Sequence, residues 1–103
     1  MSLVVTQSVS NNKCVVSVAG EVDVSNAAEL RGALEEAVAA DVTGIEVDLS
    51  QAPYVDSTGI GVLVGAARRA QEASKQLKIT KPQRNVQRVL SLLGVSDELG
   101  VSA

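Results

Sequence analysis

The residues best equipped for chemistry lie together in Val55-Asp56-Ser57-Thr58-Gly59-Ile60-Gly61-Val62-Leu63. A carboxylate, two hydroxyls and two glycines this close could serve a nucleophile, a phosphate cradle or a surface awaiting modification. Three catalytic patterns fail here. A phosphate-binding loop needs Gly-x4-Gly-Lys-Ser/Thr, and no lysine adjoins these glycines. A hydrolase elbow needs Gly-x-Ser-x-Gly, and with no histidine in the chain Ser57 lacks the usual activating base. The half-site of a dimeric aspartic protease reads Asp-Ser/Thr-Gly; here one more residue intervenes, Asp56-Ser57-Thr58-Gly59, and the segment leads into a helical pattern. The chain is therefore read as a binding protein, not an enzyme.

The rest of the composition narrows the reading in the same direction. With 103 residues, 46% of them hydrophobic, there is room for one domain, residues 1–103, and one core. Nine basic and twelve acidic side chains leave a net charge of −3 with no basic run, which argues against direct nucleic-acid binding. The missing histidine and the single cysteine, Cys14, remove metal, disulfide and thiol-redox chemistry, and no cofactor is implied. Cys14 itself falls on an inward strand position and reads as a small buried hydrophobe. No apolar run approaches the ~20 residues of a membrane span, and the N-terminus opens without a basic signal region. A cytoplasmic protein is the expectation.

The elements that must position the motif follow from periodicity. Tyr54 is the only aromatic residue, and a core of valine and alanine favours strands covered by close-packed helices. Leu3, Val5 and Val9 alternate around Gln7, and after Ser10-Asn11-Asn12 a second run puts Cys14, Val16 and Val18 on one face, which predicts a hairpin. Ile45, Val47 and Leu49 alternate with Glu46, Asp48 and Ser50, and a short strand fits Leu77 to Thr80. Such alternation predicts a sheet with one polar, open face and all helices on the other. The first helix carries Ala27, Leu30, Leu34, Ala37 and Val38 inward, with Ser25 as its cap and Arg31 and Glu35 on the wet side. The second runs from about Ser57 to Ser74 with Ile60, Leu63, Val64, Ala67 and Ala70 inward. The third starts near Pro82, turns Val86, Val89, Leu90 and Leu93 inward and stops at Gly94, leaving Val95 to Ala103 as a final turn or frayed tail.

On this second helix the glycines stand out, since each costs a helix roughly 1 kcal/mol relative to alanine. At 100° per residue, Ser57, Gly61, Gly65 and Arg68 share the face opposite the apolar stripe. A face so bare lets a partner approach the backbone closely, with the Ser57 hydroxyl at its N-terminal end. Two plainer readings stand beside this one. Asp56 or Ser57 can be a simple N-cap, and Gly59, nearer the sheet side, can serve tight packing.

The order strand, strand, helix, strand, helix, strand, helix resembles the STAS domain over essentially the whole chain. Two segments carry the likeness. Gly20-Glu21-Val22-Asp23 looks like the family's Gly-acidic-aliphatic-Asp turn, and Asp56-Ser57-Thr58-Gly59-Ile60-Gly61-Val62-Leu63 looks like its Asp-Ser-Ser/Thr-Gly-aliphatic-Gly segment. The resemblance implies an α/β single domain with a mixed sheet of four to five strands and helices mainly on one face. The second segment is similar to that of the free-standing anti-sigma-factor antagonists. In that branch the serine matching Ser57 is phosphorylated by the anti-sigma factor, an ATP-dependent serine kinase. Only the unphosphorylated antagonist captures the kinase and frees the sigma factor, and a serine phosphatase restores it. The resemblance thus implies Ser57 as phosphoacceptor, and taken with the bare face of the second helix it makes Asp23, Asp56, Ser57, Thr58, Gly59, Gly61, Gly65 and Arg68 the expected partner-binding residues.

A phosphate on Ser57 would add a charge of about −1.5 to −2 at a helix end whose dipole favours anions, so the fold should tolerate it. Docking should not, because a hydrated dianion must be desolvated within an interface of small residues. The runner-up function is the free-standing STAS subunit of a lipid-transport ABC transporter, against which Ser57-Thr58 argues. Sulfate-transporter tails and stressosome scaffolds are further relatives of the same fold.

Overall fold

A computed structural model of the protein describes residues 3–92 and 94. The elements run β1 (Val4–Ser10), β2 (Lys13–Ala19), α1 (Ala27–Ala39), β3 (Gly44–Gln51), α2 (Ser57–Glu72), β4 (Gln76–Thr80) and α3 (Arg84–Leu92). The strands form one mixed sheet in the order β1-β2-β3-β4, with β1 antiparallel to β2 and the others parallel. The hairpin turns on Asn11 and Asn12, both at positive φ (51° and 62°), which asparagine tolerates better than most residues. The helices α1 and α2 are the crossovers that parallel pairing requires.

One face of the sheet supplies the floor of the core. Cys14, Val16, Val18, Ile45, Val47, Leu49, Leu77 and Ile79 are all buried, and the buried residues of α1, α2 and α3 join the same cluster. The alternate positions carry Glu46, Asp48, Ser50 and Lys78 on the face without a helix, as the alternation predicts. Lys13 and Glu46 form a surface ion pair there at 3.7 Å. Lys75 anchors the far end of α1: its Nζ donates to the Val38 and Ala40 carbonyls, placing a cation where the helix dipole is negative.

Several expectations need correction. Val9 is 61% exposed. It shares a face with Cys14, but α1 crosses from Gln7, whose Nε2 donates to the Ala33 carbonyl at 3.1 Å, toward Lys75, and so leaves that end of β1 uncovered. Ser25 does not cap α1. It lies in the preceding turn, where its hydroxyl and its N–H both donate to the Asp23 carboxylate, and Asn26 occupies the cap position. On α2 the buried positions include Val62 and Ala66 while Val64 and Ala67 are half-buried, because α2 packs against α1 as well as β4 and its buried arc is wider. On α3 only Val86 and Leu90 are buried, Val89 being 38% exposed. Leu93 and Val95 to Ala103 lie outside the described residues.

Candidate functional site

Two loops at one end of the sheet make the site. Gly20 turns the chain out of β2 at φ 115°, a conformation that disfavours side chains, and its N–H donates to the Gln51 carbonyl at 2.9 Å. Two residues on, Val22 forms an isolated parallel bridge with Val55: its N–H donates to the Tyr54 carbonyl at 2.9 Å, and its own carbonyl accepts from the Asp56 N–H at 3.0 Å. The two motifs are thereby stitched into one surface. Asp23 and Asp56 each follow directly on a bridged valine, so the pairing fixes where both carboxylates emerge.

Each carboxylate is committed to shaping its own loop. Asp23 accepts from the Ser25 hydroxyl and backbone, and its N–H donates to Asn26 Oδ1. The Ser25 hydroxyl, then the Ser25 N–H, holds the Asp23 carboxyl below the usual carboxylate range. Asp56 is the N-cap of α2 and accepts from the Gly59 N–H at 2.9 Å. The capping role thus falls to Asp56, which leaves Ser57 as the first helical residue, exposed, its hydroxyl free of capping duty.

Along α2 the helical face expected to be bare is bare at its start. Gly61 is exposed, and a Cβ built there would meet nothing within 4 Å. Gly65 is half-buried, and its Cβ would meet only Arg69 Nη1, at an ordinary 3.6 Å. Arg68 is exposed on the same face, as Ser57 is. Thr58 is exposed too, one residue round the helix.

Gly59 does not belong with them. It is buried, and a Cβ there would stand 2.7 Å from both Val22 Cγ1 and Val55 Cγ1. Its place in the motif is to let the first turn of α2 settle onto the Val22–Val55 bridge, so it holds the two loops together from beneath and does not offer a contact to a partner.

Two further residues flank the site that motif reading missed. Val24, 76% exposed, follows Asp23, and Tyr54, 49% exposed, precedes the bridge. A large apolar side chain held in water within a tight polar turn is the signal that marks them.

The model of the family described as "Mlab, STAS domain" matches residues 5–101. The chain belongs to the STAS-domain family. Among its STAS relatives, the anti-sigma-B factor antagonist of Listeria monocytogenes is 32% identical over 82 residues, covering 80% of this chain and 72% of that protein. The anti-sigma-B factor antagonist of Bacillus subtilis is 31% identical over 94 residues, covering 91% and 85%. The fold is that of the anti-sigma factor antagonist SpoIIAA in its unphosphorylated form, with a TM-score of 0.80 at 19% identity over 99% of this chain and 89% of that one. The phosphorylated form of the Bacillus cell fate determinant SpoIIAA aligns with a TM-score of 0.73 at 18% identity, covering 99% of this chain and 92% of that one. No helix among the described residues of this STAS domain is long and apolar enough to cross a membrane.

Proposed function

We propose that the protein is an anti-sigma-factor antagonist: unphosphorylated, it binds an anti-sigma factor that is an ATP-dependent serine kinase and so releases the sigma factor, and phosphorylation of Ser57 switches binding off. The observation that carries the reading is the exposed Ser57 hydroxyl on the first residue of α2, with the capping duty taken by Asp56 and open space beside Gly61 one turn on. The antagonist names of relatives 31–32% identical favour this over a transporter subunit.

The switch acts at the interface. A phosphate on Ser57 meets the first backbone N–H groups of α2, which have no carbonyl partner within the helix, so the domain accommodates it. A partner seated over Asp23, Asp56, Thr58, Gly61, Gly65 and Arg68 must instead strip water from a dianion beside two carboxylates. The protein itself carries out no catalysis, and a serine phosphatase resets it.

The test pairs the domain with the anti-sigma factor from the same genome. Incubation with ATP and fragment mass spectrometry should map the phosphate to Ser57; phosphate found only on Thr58 overturns the assignment. Ser57→Ala should stay folded and bind constitutively, and Ser57→Asp should bind weakly. Phosphorylation should move backbone amide resonances around residues 20–24 and 53–61 only, and shifts across the whole domain would contradict an interface switch.

A further inference from the structure

Away from the α2 surface, the outer edge of β1 faces a groove of about 560 Å³ against α1. We propose that this groove is a second docking surface, taking an extended segment of a partner protein that adds as a fifth strand along β1 and whose groove-facing positions, every second residue, carry basic side chains on either side of a small apolar one.

The edge is open and undefended. β1 ends the sheet, its register with β2 runs without a bulge from Val4↔Ala19 to Ser10↔Lys13, and Val4–Ser10 contains neither charge nor proline. These are the devices by which exposed edges usually block further pairing. In a hairpin closed by a two-residue turn, the flanking pair exchanges both bonds and bonded pairs alternate from there. Ser10, Ser8, Thr6 and Val4 are therefore the bonded positions, and Val5, Gln7 and Val9 turn their N–H and C=O groups outward.

The groove says what such a strand should carry. Its floor is Leu3 and Val5, and its wall is α1 at Gly32 and Ala33, where a Cβ on Gly32 would meet nothing within 4 Å. Small apolar side chains fit that space. The wall carries Glu29 and Glu36, seven residues and so about 10 Å apart along the helix. Lys or Arg side chains four residues apart on an added strand share the groove face, leave one small apolar position between them and can reach both. Glu36 accepts from Gln7 Nε2 at 3.2 Å through one oxygen, and neither glutamate has an ion pair among the described residues. A second copy of this chain is the poorer complement, because two-fold pairing along β1 would bring Glu29 and Glu36 against the same residues of its neighbour. The chain's own residues 95–103 bring Asp97 and Glu98 and no basic side chain.

The experiment uses a synthetic, end-blocked heptapeptide with arginine at positions 2 and 6, valine at position 4 and threonine elsewhere, titrated into the isotope-labelled protein and followed by amide resonances. Saturable shifts at Val5, Gln7, Val9 and Gly32 are expected, with binding lost when alternate peptide nitrogens are methylated and strand pairing is blocked. Gly32→Leu, whose Cβ enters open space and whose side chain extends into the groove, should keep the fold and abolish binding. Glu29→Gln with Glu36→Gln should weaken it roughly threefold to tenfold, as two surface ion pairs would. Shifts confined to α2, equal binding of the methylated peptide, or no saturation at millimolar peptide overturn the proposal. So does a concentration-dependent dimer through β1, which would assign the edge to self-association. None of these readouts involves Ser57, so failure here leaves the phosphorylation switch standing.

Discussion

Three glycines in one helix give a sharp test, because the structure places each in a different environment. At Gly61 an added methyl enters open space, so Gly61→Ala should realise the full helix-propensity gain of about 1 kcal/mol. In a domain of this size that corresponds to a rise in Tm of roughly 4–8 °C. At Gly65 the methyl makes an ordinary contact with Arg69 Nη1 at 3.6 Å, and the gain should be similar or slightly smaller. At Gly59 the methyl lands 2.7 Å from the γ-methyls of Val22 and Val55, both buried and both stiff about χ1. Overpacking of that kind costs about 1–3 kcal/mol, which cancels or exceeds the propensity gain. The expected order of urea midpoints is Gly61→Ala first, Gly65→Ala next, then the wild type, and Gly59→Ala last. Affinity for the anti-sigma factor should run the other way at the exposed positions: Gly61→Ala and Gly65→Ala should bind less well, since each methyl holds the partner's backbone off a surface it must meet closely. Calorimetric titration reads that loss. Lower stability in both Gly61→Ala and Gly65→Ala would refute the exposed-face geometry. Unchanged affinity in both would move the docking site off α2, toward the turn from Gly20 to Asp23.

Other expectations follow from charge and from exposed apolar surface. The carboxyls of Asp23, through the Ser25 hydroxyl and N–H, and of Asp48, where burial pushes upward but the Ser50 N–H and hydroxyl together with Lys81 outweigh it, lie below their ordinary range. A depressed folded pKa stabilises above the unfolded value of about 4 and loses that contribution as pH falls through it. Urea midpoints should therefore drop below about pH 4, less steeply in Asp48→Asn, and stay flat from pH 5 to 8, where the chain has no histidine to titrate; a titration step inside that window would contradict this. Val24→Ser and Tyr54→Ser should leave the unfolding free energy from urea titration within about 0.5 kcal/mol of wild type, as exposed substitutions do. Each should weaken anti-sigma-factor binding by about 1 kcal/mol or more, and binding unchanged in both would remove them from the docking surface.

The elements β2, β3 and β4 were legible in the sequence because half-burial leaves a period of two, and every residue assigned inward on them is buried. β1 was legible as a strand but not in its burial: alternation reports which face Val9 shares, and only the path of α1 decides whether anything covers that face. The same limit explains Ser25. Its type and position are those of a helix cap, yet the Asp23 carboxylate two residues earlier competes for it, and the outcome depends on how the turn closes. At the site, the spacing of Ser57, Gly61 and Arg68 on one helical face was enough to predict their exposure, since that depends on the helix alone. The helical wheel already set Gly59 nearer the sheet side than Gly61 and Gly65, with tight packing as one reading of it. What the wheel could not supply is the surface it packs on, the Val22–Val55 bridge, a contact between loops more than thirty residues apart.

That bridge is also the reason a phosphorylation switch here need not disturb the fold. Gly59 lies beneath the first turn of α2 and locks it to both loops through buried apolar contacts, while Asp56 ends the helix from the side with a single hydrogen bond. Ser57 lies outside both devices: its side chain is exposed, and none of the site's structural hydrogen bonds uses its hydroxyl. Adding charge at Ser57 therefore changes what a partner must desolvate without removing anything the fold depends on. Had the hydroxyl been the cap, phosphorylation would have changed the hydrogen bonds that start the helix and so coupled partner choice to stability. Assigning the cap to the aspartate one residue earlier uncouples the two, and the Asp-Ser order at positions 56 and 57 is what makes that division of roles possible.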